Sequence, residues 1–293
     1  MGNVSVIIPS IGRRDHLKRA ISYYEKSGFD VIAATNTPIA DAKAKMIESN
    51  ASFLERIEVA LQETDTEYCI LSPDDDFISF SFLEKGCKIL DEQSNVSSVV
   101  GNFVRYHPPE FTLNPVIYTM PEHLETDVIG RVENGIRNYS NNYWVLYRKV
   151  VLQQILLYCR GVENYNLVEV LFKFIALASG KIASINQVYF YREDLVNSWG
   201  TKEQPLLDYM KNPVNQVKIQ EMDQRLRLIL PAGAPDASTI IINNYKRFCN
   251  GRVKISYRIS NKIYRIYCTL CKAFLQTPVE KKEAELIKLL VTQ

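Results

Sequence analysis

Three consecutive aspartates, Asp74, Asp75 and Asp76, close the apolar run Tyr68-Cys69-Ile70-Leu71. The apolar run predicts a buried strand, and the carboxylates lie where that strand leaves the core. Like charges at this spacing raise one another's pKa values unless a cation or a proton neutralises them. Oxygen ligands of this kind suit Mg²⁺ or Mn²⁺. The triplet therefore predicts a cation site at a sheet edge, with a solvated acidic turn as the alternative.

Two similar apolar runs precede the aspartates. Residues 4–8 and residues 30–34 are each rich in apolar residues and end in a turn. The residues that follow the two runs directly are Pro9, Ser10, Thr35 and Asn36. Three strands separated by helices predict a parallel, doubly wound sheet. Ligands of such sheets bind outside the carboxyl ends of the strands, so these residues and the aspartates are expected at one edge.

Helices are predicted between these strands from the spacing of apolar residues. After Asp15 an apolar stripe recurs at i, i+3, i+4 and i+7, with Gly28 as its stop. Residues 39–50 and 53–63 are also predicted to be helical.

The middle of the chain carries less distinct signals. Residues 97–104 predict a further strand, and the proline-rich stretch 107–121 predicts an irregular connector or an acceptor-side loop. Residues 138–144 are rich in aromatic and amide side chains, which can stack on sugar rings and hydrogen-bond to them. The alternative for this segment is a strand that buries Trp144 among polar neighbours.

The opening strand with Arg13 nearby, the helix to Gly28 and the segment from Glu67 to Asp76 resemble the family 2 nucleotide-sugar glycosyltransferases. The resemblance covers about residues 1–200. It implies an α/β GT-A fold, a Rossmann-like, mostly parallel sheet flanked by helices. Residues 201–293 then form a helical C-terminal subdomain. The family usually has an aspartate after the second strand to hold the base, and this chain departs from it with Thr35-Asn36.

For the aspartate triplet the resemblance implies an Asp-x-Asp motif. Asp76 is then the ligand of the Mn²⁺ or Mg²⁺ that bridges the donor diphosphate. Asp74 contacts ribose or sugar or supplies a second metal ligand, and the role of Asp75 stays open between these. The residues expected to contact the donor nucleotide-sugar are Pro9, Ser10, Arg13, Thr35, Asn36, Asp74, Asp75 and Arg192.

A catalytic base is expected near the start of a second helix. An apolar stripe over 167–178 ends at Gly180 and predicts a helix with a glycine stop. Family members usually open such a helix with a Glu-Asp pair, and counting back from Gly180 places Glu169 at its aspartate, with Val168 where the family has Glu. Glu163, in the preceding loop, is the alternative base. A glutamate at a helix start also serves as a favourable dipole charge, which is the structural alternative.

A base is needed because a sugar hydroxyl is a poor nucleophile at neutral pH. The implied reaction is one in-line displacement with inversion, onto a hydroxyl of a glycan or a lipid-linked acceptor. Residues 182–191 predict the strand that precedes Arg192. That arginine is expected to contact the donor phosphates or, alternatively, to form a surface salt bridge with Glu193 or Asp194.

Composition fits a chain with one large core, or with one core and an appendage. Hydrophobic residues make up 46% of the sequence, and the net charge of +2 gives no overall reason to expect nucleic acid. Six scattered cysteines without a secretory signal predict reduced thiols and a cytoplasmic protein. The pair Cys268 and Cys271 is better explained by one helical turn than by half a zinc site. No apolar run approaches the 18 residues of a membrane span.

The C-terminal part has a different character. Residues 203–230 predict helices, and the stretch 231–235 predicts a hinge. Residues 245–272 then carry basic and aromatic side chains without an acidic one. This mixture suits the anionic inner face of a membrane, where a lipid-linked acceptor would reside. A solvated face or a homo-oligomer contact is the alternative, and a nucleic-acid patch ranks last.

Three functions follow from these observations. The first is a metal-dependent, inverting glycosyltransferase that acts in surface polysaccharide or glycolipid synthesis. The second is a sugar nucleotidyltransferase, which normally has a glycine-rich phosphate loop after the first strand. The turn at 9–12 has one glycine and disfavours it. The third is a non-catalytic partner in a glycan-synthesising complex, which the missing Glu before Glu169 keeps open.

Overall fold

A computed structural model describes residues 3–108, 112–194, 203–253 and 278–292 of the chain. The described strands form one nine-stranded sheet, in the order β3-β2-β1-β4-β8-β6-β9-β5, with β7 paired to β6. The strands are β1 (Val4–Ser10), β2 (Asp30–Thr35), β3 (Lys45–Glu48), β4 (Tyr68–Leu71), β5 (Phe77–Ile78), β6 (Val96–His107), β7 (Thr112–Thr119), β8 (Leu146–Arg148) and β9 (Lys181–Glu193).

Helices cover both faces of this sheet. They are α1 (Arg14–Tyr24), α2 (Phe53–Gln62), α3 (Phe80–Glu92), α4 (Val128–Arg137), α5 (Lys149–Cys159), α6 (Tyr165–Ser179), α7 (Leu206–Lys211), α8 (Gln216–Leu226), α9 (Ala237–Val253) and α10 (Pro278–Val291). Helices α1, α3 and α10 pack together, and α2, α5 and α6 form a second layer. Helix α4 packs on α6, and α9 packs on α4.

The predicted parallel core is confirmed. Strand β1 lies between β2 and β4 and is parallel to both. All seven residues of β1 are buried, which explains why all of them except Ser5 and Ser10 are apolar. The register pairs Ser10 with Thr35, so the carboxyl ends of these strands meet at one edge of the sheet. Beyond β4 the sheet is mixed, because β8 is antiparallel to both β4 and β6.

The predicted helix over 39–50 is wrong. Residues 45–48 form β3, which is parallel to β2 at the edge of the sheet, with Ile32 opposite Lys45. The apolar residues of this stretch fit a helical stripe, but the hydrogen bonds to β2 are long-range and outweigh that local pattern. The neighbouring helix is confirmed as α2, where Ser52 and Glu55 form a reciprocal capping box at its start.

The proline-rich stretch is not simply a connector. It contains β7, which pairs antiparallel with β6. The pairing shifts register between Val104 and Tyr106, opposite the part of β7 that contains Pro115, and proline has no N–H to donate to a ladder. Strand β7 thus tolerates its proline where the ladder is interrupted.

Gly180 does follow the predicted helix, but not as a left-handed cap. Its backbone is extended, with φ 173°. A Cβ at this position would lie 2.8 Å from the carbonyl oxygen of Asn95. Glycine is therefore required for the close approach of this turn to the chain before β6.

The C-terminal part packs back onto the sheet domain. The helices predicted over 203–230 are confirmed as α7 and α8. Helix α10 contacts α1 and α3, and its Glu283 Oε1 accepts a 3.1 Å hydrogen bond from the backbone N–H of Ser81 in the first turn of α3. None of the helices in the described ranges has the length and the apolar stretch needed to cross a bilayer.

Candidate active site at the carboxyl edge of the sheet

Arg13 and Ser10 hold two of the three aspartates at the carboxyl edge. Ser10 Oγ donates a 2.6 Å hydrogen bond to Asp74 Oδ2. The guanidinium of Arg13 forks between Asp74 Oδ1 at 2.8 Å and Asp75 Oδ2 at 2.9 Å. Burial raises the pKa of Asp74, and the bonds from Ser10 and Arg13 oppose that rise. Both oxygens of Asp74 are thereby engaged by protein groups.

Asp76 points in another direction, toward the end of β9. The backbone N–H of Glu193 donates a 2.7 Å hydrogen bond to Asp76 Oδ1. In the described parts of the chain, no hydrogen bond reaches Asp76 Oδ2. Burial raises the pKa of Asp76 well above its usual value, and the charge of Asp75 adds to this rise. A cation bound at Asp76 would relieve this cost.

A partly buried ion pair contacts the backbone of the aspartate loop. Arg19 Nη2 lies 2.6 Å from Glu193 Oε2 and 3.1 Å from the carbonyl oxygen of Asp75. The hydroxyl of Tyr106 donates to the same carbonyl oxygen at 2.7 Å. Sequence reasoning missed this cluster. No local pattern marked it, because Arg19 lies outside the apolar stripe of α1 and its partners are distant in the chain.

Arg56 is a further cation that sequence reasoning missed. It lies on α2, is buried, and its charge interacts with that of Asp74. Its Nη1 donates to the carbonyl oxygen of Ala51, and its buried Nε makes no hydrogen bond within the described ranges. The site is thus rich in arginine as well as in aspartate.

The ends of β1 and β2 are joined to each other. Asn36 Oδ1 accepts a 2.9 Å hydrogen bond from the backbone N–H of Gly12. Thr35 is buried, and its hydroxyl accepts a 3.1 Å bond from the N–H of Thr37. Pro9 is buried within β1. In this structure Thr35 and Asn36, which are predicted to contact the nucleotide-sugar, make hydrogen bonds that shape the two loops beside the aspartates.

Glu169 stands one turn into α6. That helix begins after Asn164, whose side chain accepts a 2.9 Å hydrogen bond from the N–H of Leu167. The hydroxyl of Tyr139 donates to Glu169 Oε1. Burial raises the pKa of Glu169, while the bond from Tyr139 and the charge of Arg192 oppose the rise. A carboxylate in such surroundings is a stronger base than one in water.

Arg192 acts electrostatically on both Asp76 and Glu169. The surface salt bridge considered for it does not form among the described residues, because Glu193 pairs with Arg19 and Asp194 lies 3.4 Å from Arg105. Its charge is thus available to a ligand.

Glu163 occupies a different place. Its side chain is 73% exposed, and its Oε2 lies 2.7 Å from Nζ of Lys218 on α8. In the described structure its charge is thus paired at the surface, whereas Glu169 is screened from water.

The aromatic segment 138–144 enters the core with Asn142 and Tyr143. Tyr143 is fully buried, and its ring contacts Phe172 in an edge arrangement at 4.5 Å. Trp144 is only partly buried and precedes β8. Tyr139 is also partly buried, and its hydroxyl donates to Glu169 Oε1. Packing therefore accounts for Tyr143 better than sugar binding does.

The donor set at the edge fits a divalent cation only in part. In the described ranges, no three His, Cys, Asp or Glu side chains converge closely enough to hold a metal by themselves. Asp76 offers a free carboxylate oxygen, whereas both oxygens of Asp74 are taken. Mg²⁺ in proteins often uses one or two carboxylates and takes its other ligands from substrate phosphates. Asp76 Oδ2 meets that requirement, and Asp75 Oδ1 likewise has no hydrogen bond within the described ranges.

Comparisons with protein-family models and with curated proteins give no match. Solved structures do match. The crystal structure of S. aureus TarS 1-349 has a TM-score of 0.56 at 13% identity and covers 98% of this chain and 90% of that one. TarS 1-349 in complex with UDP-GlcNAc has a TM-score of 0.53 at 14% identity, with 98% and 90% covered. TarS 1-349 in complex with UDP has a TM-score of 0.52 at 11% identity, with 99% and 88% covered.

These matches establish the fold class. The chain has an α/β fold with a curled sheet flanked by helices, as in the glycosyltransferase structures of TarS. The predicted GT-A-like architecture is confirmed at this level, over nearly the whole length of the chain.

Proposed function

We propose that this protein is a cation-dependent, inverting glycosyltransferase of the family 2 type. It would transfer a sugar from a nucleotide-sugar to a hydroxyl of a glycan or lipid-linked acceptor. The observation that carries the proposal is the position of Arg192, whose charge acts on both Asp76 and Glu169. Both the candidate diphosphate end and the candidate base are thus within electrostatic range of one arginine.

The carboxyl edge would hold the donor. Ser10 and Arg13 fix Asp74 and Asp75 in a rigid cluster, ready to contact ribose or sugar hydroxyl groups. Thr35 and Asn36 border the same edge, where the base would lie. Arg192 would contact the diphosphate, since arginine is suited to bind phosphate oxygens.

A divalent cation, Mn²⁺ or Mg²⁺, held by Asp76 would offset the negative charge that develops on the leaving diphosphate. Asp76 suits this role because its free oxygen and its costly buried charge favour a cation. Asp74 suits the sugar or ribose contact better than a metal ligand, because Ser10 and Arg13 already engage its two oxygens.

Glu169 would act as the base. It takes the proton from the acceptor hydroxyl, whose oxygen attacks the anomeric carbon on the face opposite the diphosphate. The bond from that carbon to the diphosphate oxygen breaks, the nucleoside diphosphate leaves with the electron pair, and the configuration inverts. The desolvated carboxylate has a raised pKa, which brings its basicity closer to neutral pH. Tyr139 occupies Oε1, so Oε2, which accepts no hydrogen bond in the described ranges, would take the proton.

The donor is best sought first among uridine nucleotides, because the TarS structures with a similar fold hold UDP-GlcNAc and UDP. The test is isothermal titration of the protein with UDP, GDP, CMP and dTDP and their sugars, with and without Mn²⁺. We expect one nucleotide-sugar to bind more tightly with Mn²⁺ and to be turned over when an acceptor is added. Absence of binding by every nucleotide would refute the proposal.

Adding a pyrophosphate assay with nucleoside triphosphates and sugar phosphates separates the two alternatives. A sugar nucleotidyltransferase would release pyrophosphate from a nucleoside triphosphate and a sugar phosphate. A non-catalytic partner would bind no donor, or bind it without turnover under any acceptor condition.

The acceptor side is proposed to lie at an anionic membrane surface. In the described part of the basic segment 245–272, Lys246 and Arg247 are exposed on α9, and residues 254–272 lie outside the described residues. Exposed cations near an anionic bilayer attract it, and salt weakens the attraction. We expect co-sedimentation with anionic vesicles at low salt, weakened by Lys246→Glu with Arg247→Glu. Unchanged sedimentation of that variant would favour a solvated or homo-oligomeric face.

A further inference from the structure

Tyr139 approaches Glu169 from outside α6. It lies two residues after the end of α4, and its hydroxyl donates to Glu169 Oε1. Helix α4 can come this close to α6 because Gly135 faces Leu177, where a Cβ would lie 2.2 Å from Leu177 Cδ1. In the described ranges, Glu169 Oε2 accepts no hydrogen bond. Tyr139 thus distinguishes the two carboxylate oxygens.

Lys173 fixes the loop that carries Tyr139. It is one turn beyond Glu169 on α6 and is only 1% exposed. Its Nζ donates to Ser140 Oγ at 2.8 Å and to the carbonyl oxygen of Asn138 at 3.3 Å, the residues on either side of Tyr139. The same Nζ lies 5.9 Å from the centre of the Tyr139 ring. A buried lysine amine is therefore held by this loop and not by a carboxylate of the described chain.

Helix α9 closes the other side of the ring. Tyr245 and Phe248 each lie 5.5 Å from the Tyr139 ring centre in edge arrangements. Next to them, Arg137 Nη2 donates to Asn244 Oδ1 at 3.2 Å. The loop with Tyr139 is thus confined between α6 and α9, and its hydroxyl has little freedom to leave Glu169.

We propose that Tyr139 is the positioning residue of Glu169, and that helix α9 belongs to the catalytic apparatus because it holds Tyr139 in place. The inference rests on the proposed role of Glu169 as the base. The donated hydrogen bond favours the ionised carboxylate, which is the form that accepts a proton. The groups that act electrostatically on Glu169 are Tyr139, Arg192, Tyr143 and Tyr165.

The first test is the pH profile of Tyr139→Phe, which removes one hydroxyl and keeps the ring. Loss of a hydrogen bond to a charged group should lower kcat about tenfold at pH 6. The loss should shrink as the pH rises, because the carboxylate then ionises without help, and the donor KM should not change. Tyr68→Phe is the matched control, since Tyr68 is buried and donates to Asp91. A loss equal at every pH would overturn the proposal.

A second measurement does not depend on activity. The carboxyl carbon of Glu169, labelled with ¹³C and assigned by its absence in Glu169→Gln, is titrated by NMR in the whole protein. In Tyr139→Phe the titration should move to higher pH. An unchanged titration would refute the positioning role even if the enzyme transfers sugar. If the titration shifts but the protein turns over no nucleotide-sugar, the positioning of Glu169 by Tyr139 is supported and the proposed function is refuted.

The role of α9 is tested by a double-mutant cycle. Phe248→Ala loosens the packing against Tyr139 and should lower kcat with an unchanged donor KM. In the Tyr139→Phe background the same change should have little further effect on kcat, because its route to Glu169 is gone. Purely additive losses would show that α9 acts by another route and would overturn that part of the proposal. Thermal unfolding of all variants controls for loss of the fold.

Discussion

The backbone N–H of Glu193 donates a 2.7 Å hydrogen bond to Asp76 Oδ1, and this bond joins the end of β9 to the aspartate loop. Arg192, the residue before Glu193 in β9, is thereby held within electrostatic range of Asp76. The position of Asp76 is thus set by a residue more than 100 positions away in the chain.

Asp76→Ala should abolish the effect of Mn²⁺ on donor binding and leave the fold intact. The change removes the carboxylate with the free oxygen at the strand end, and it also relieves a buried charge. Isothermal titration with and without Mn²⁺ measures the effect. Asp65→Ala, an exposed aspartate at the opposite end of β4, is the control. Full stimulation by Mn²⁺ in the Asp76 variant would refute the metal assignment.

Glu169→Gln should lower kcat by at least ~10²-fold with donor affinity nearly unchanged, as expected for loss of a general base. Glu163→Gln should have little effect, because Glu163 pairs with Lys218 at the surface. Steady-state kinetics at saturating acceptor provides the measurement. If Glu163→Gln is the damaging change, the two roles must be exchanged.

Arg19→Met should destabilise the protein by about 3 kcal/mol, because it leaves Glu193 as an unpaired buried charge. Combining it with Glu193→Gln should restore part of the loss, since the orphaned charge is then gone. Urea unfolding of the single and double variants measures both steps. Equal stability of the single variant and the wild type would mean that the ion pair contributes nothing.

Lys173→Met should change the pH dependence of stability. Burial lowers the pKa of Lys173 from 10.5 to about 7, so between these values the unfolded chain binds more protons than the folded one. Stability lost to the buried charge is therefore greatest below about pH 7 and is regained as the pH approaches 10.5.

The gain in unfolding free energy from Lys173→Met, relative to wild type, should accordingly shrink as the pH rises through that window. Denaturant unfolding at several pH values provides the measurement. Lys88→Met replaces an exposed lysine and should give a difference that does not depend on pH. A constant difference for Lys173→Met would contradict the prediction.

The sequence by itself determined the parallel core and the carboxyl edge. Strands β1, β2 and β4 are buried and mostly apolar along their length. Such short apolar runs can be recognised in the sequence without knowing which strands they pair with. The aspartates, and the polar residues after β1 and β2, follow from the ends of those runs. Helix α6 with Glu169 follows in the same way from its apolar stripe.

Only the tertiary structure decided which partners these residues have. Residues 45–48 form a strand because their backbone pairs with that of β2. Strand β7 likewise forms by pairing with β6. The pairing of Arg19 with Glu193 and of Tyr139 with Glu169 joins residues that are distant in the chain. Such contacts depend on how the helices pack on the sheet. The spacing of apolar residues indicates which face of a helix or strand is buried, but not which side chains of other elements contact that face.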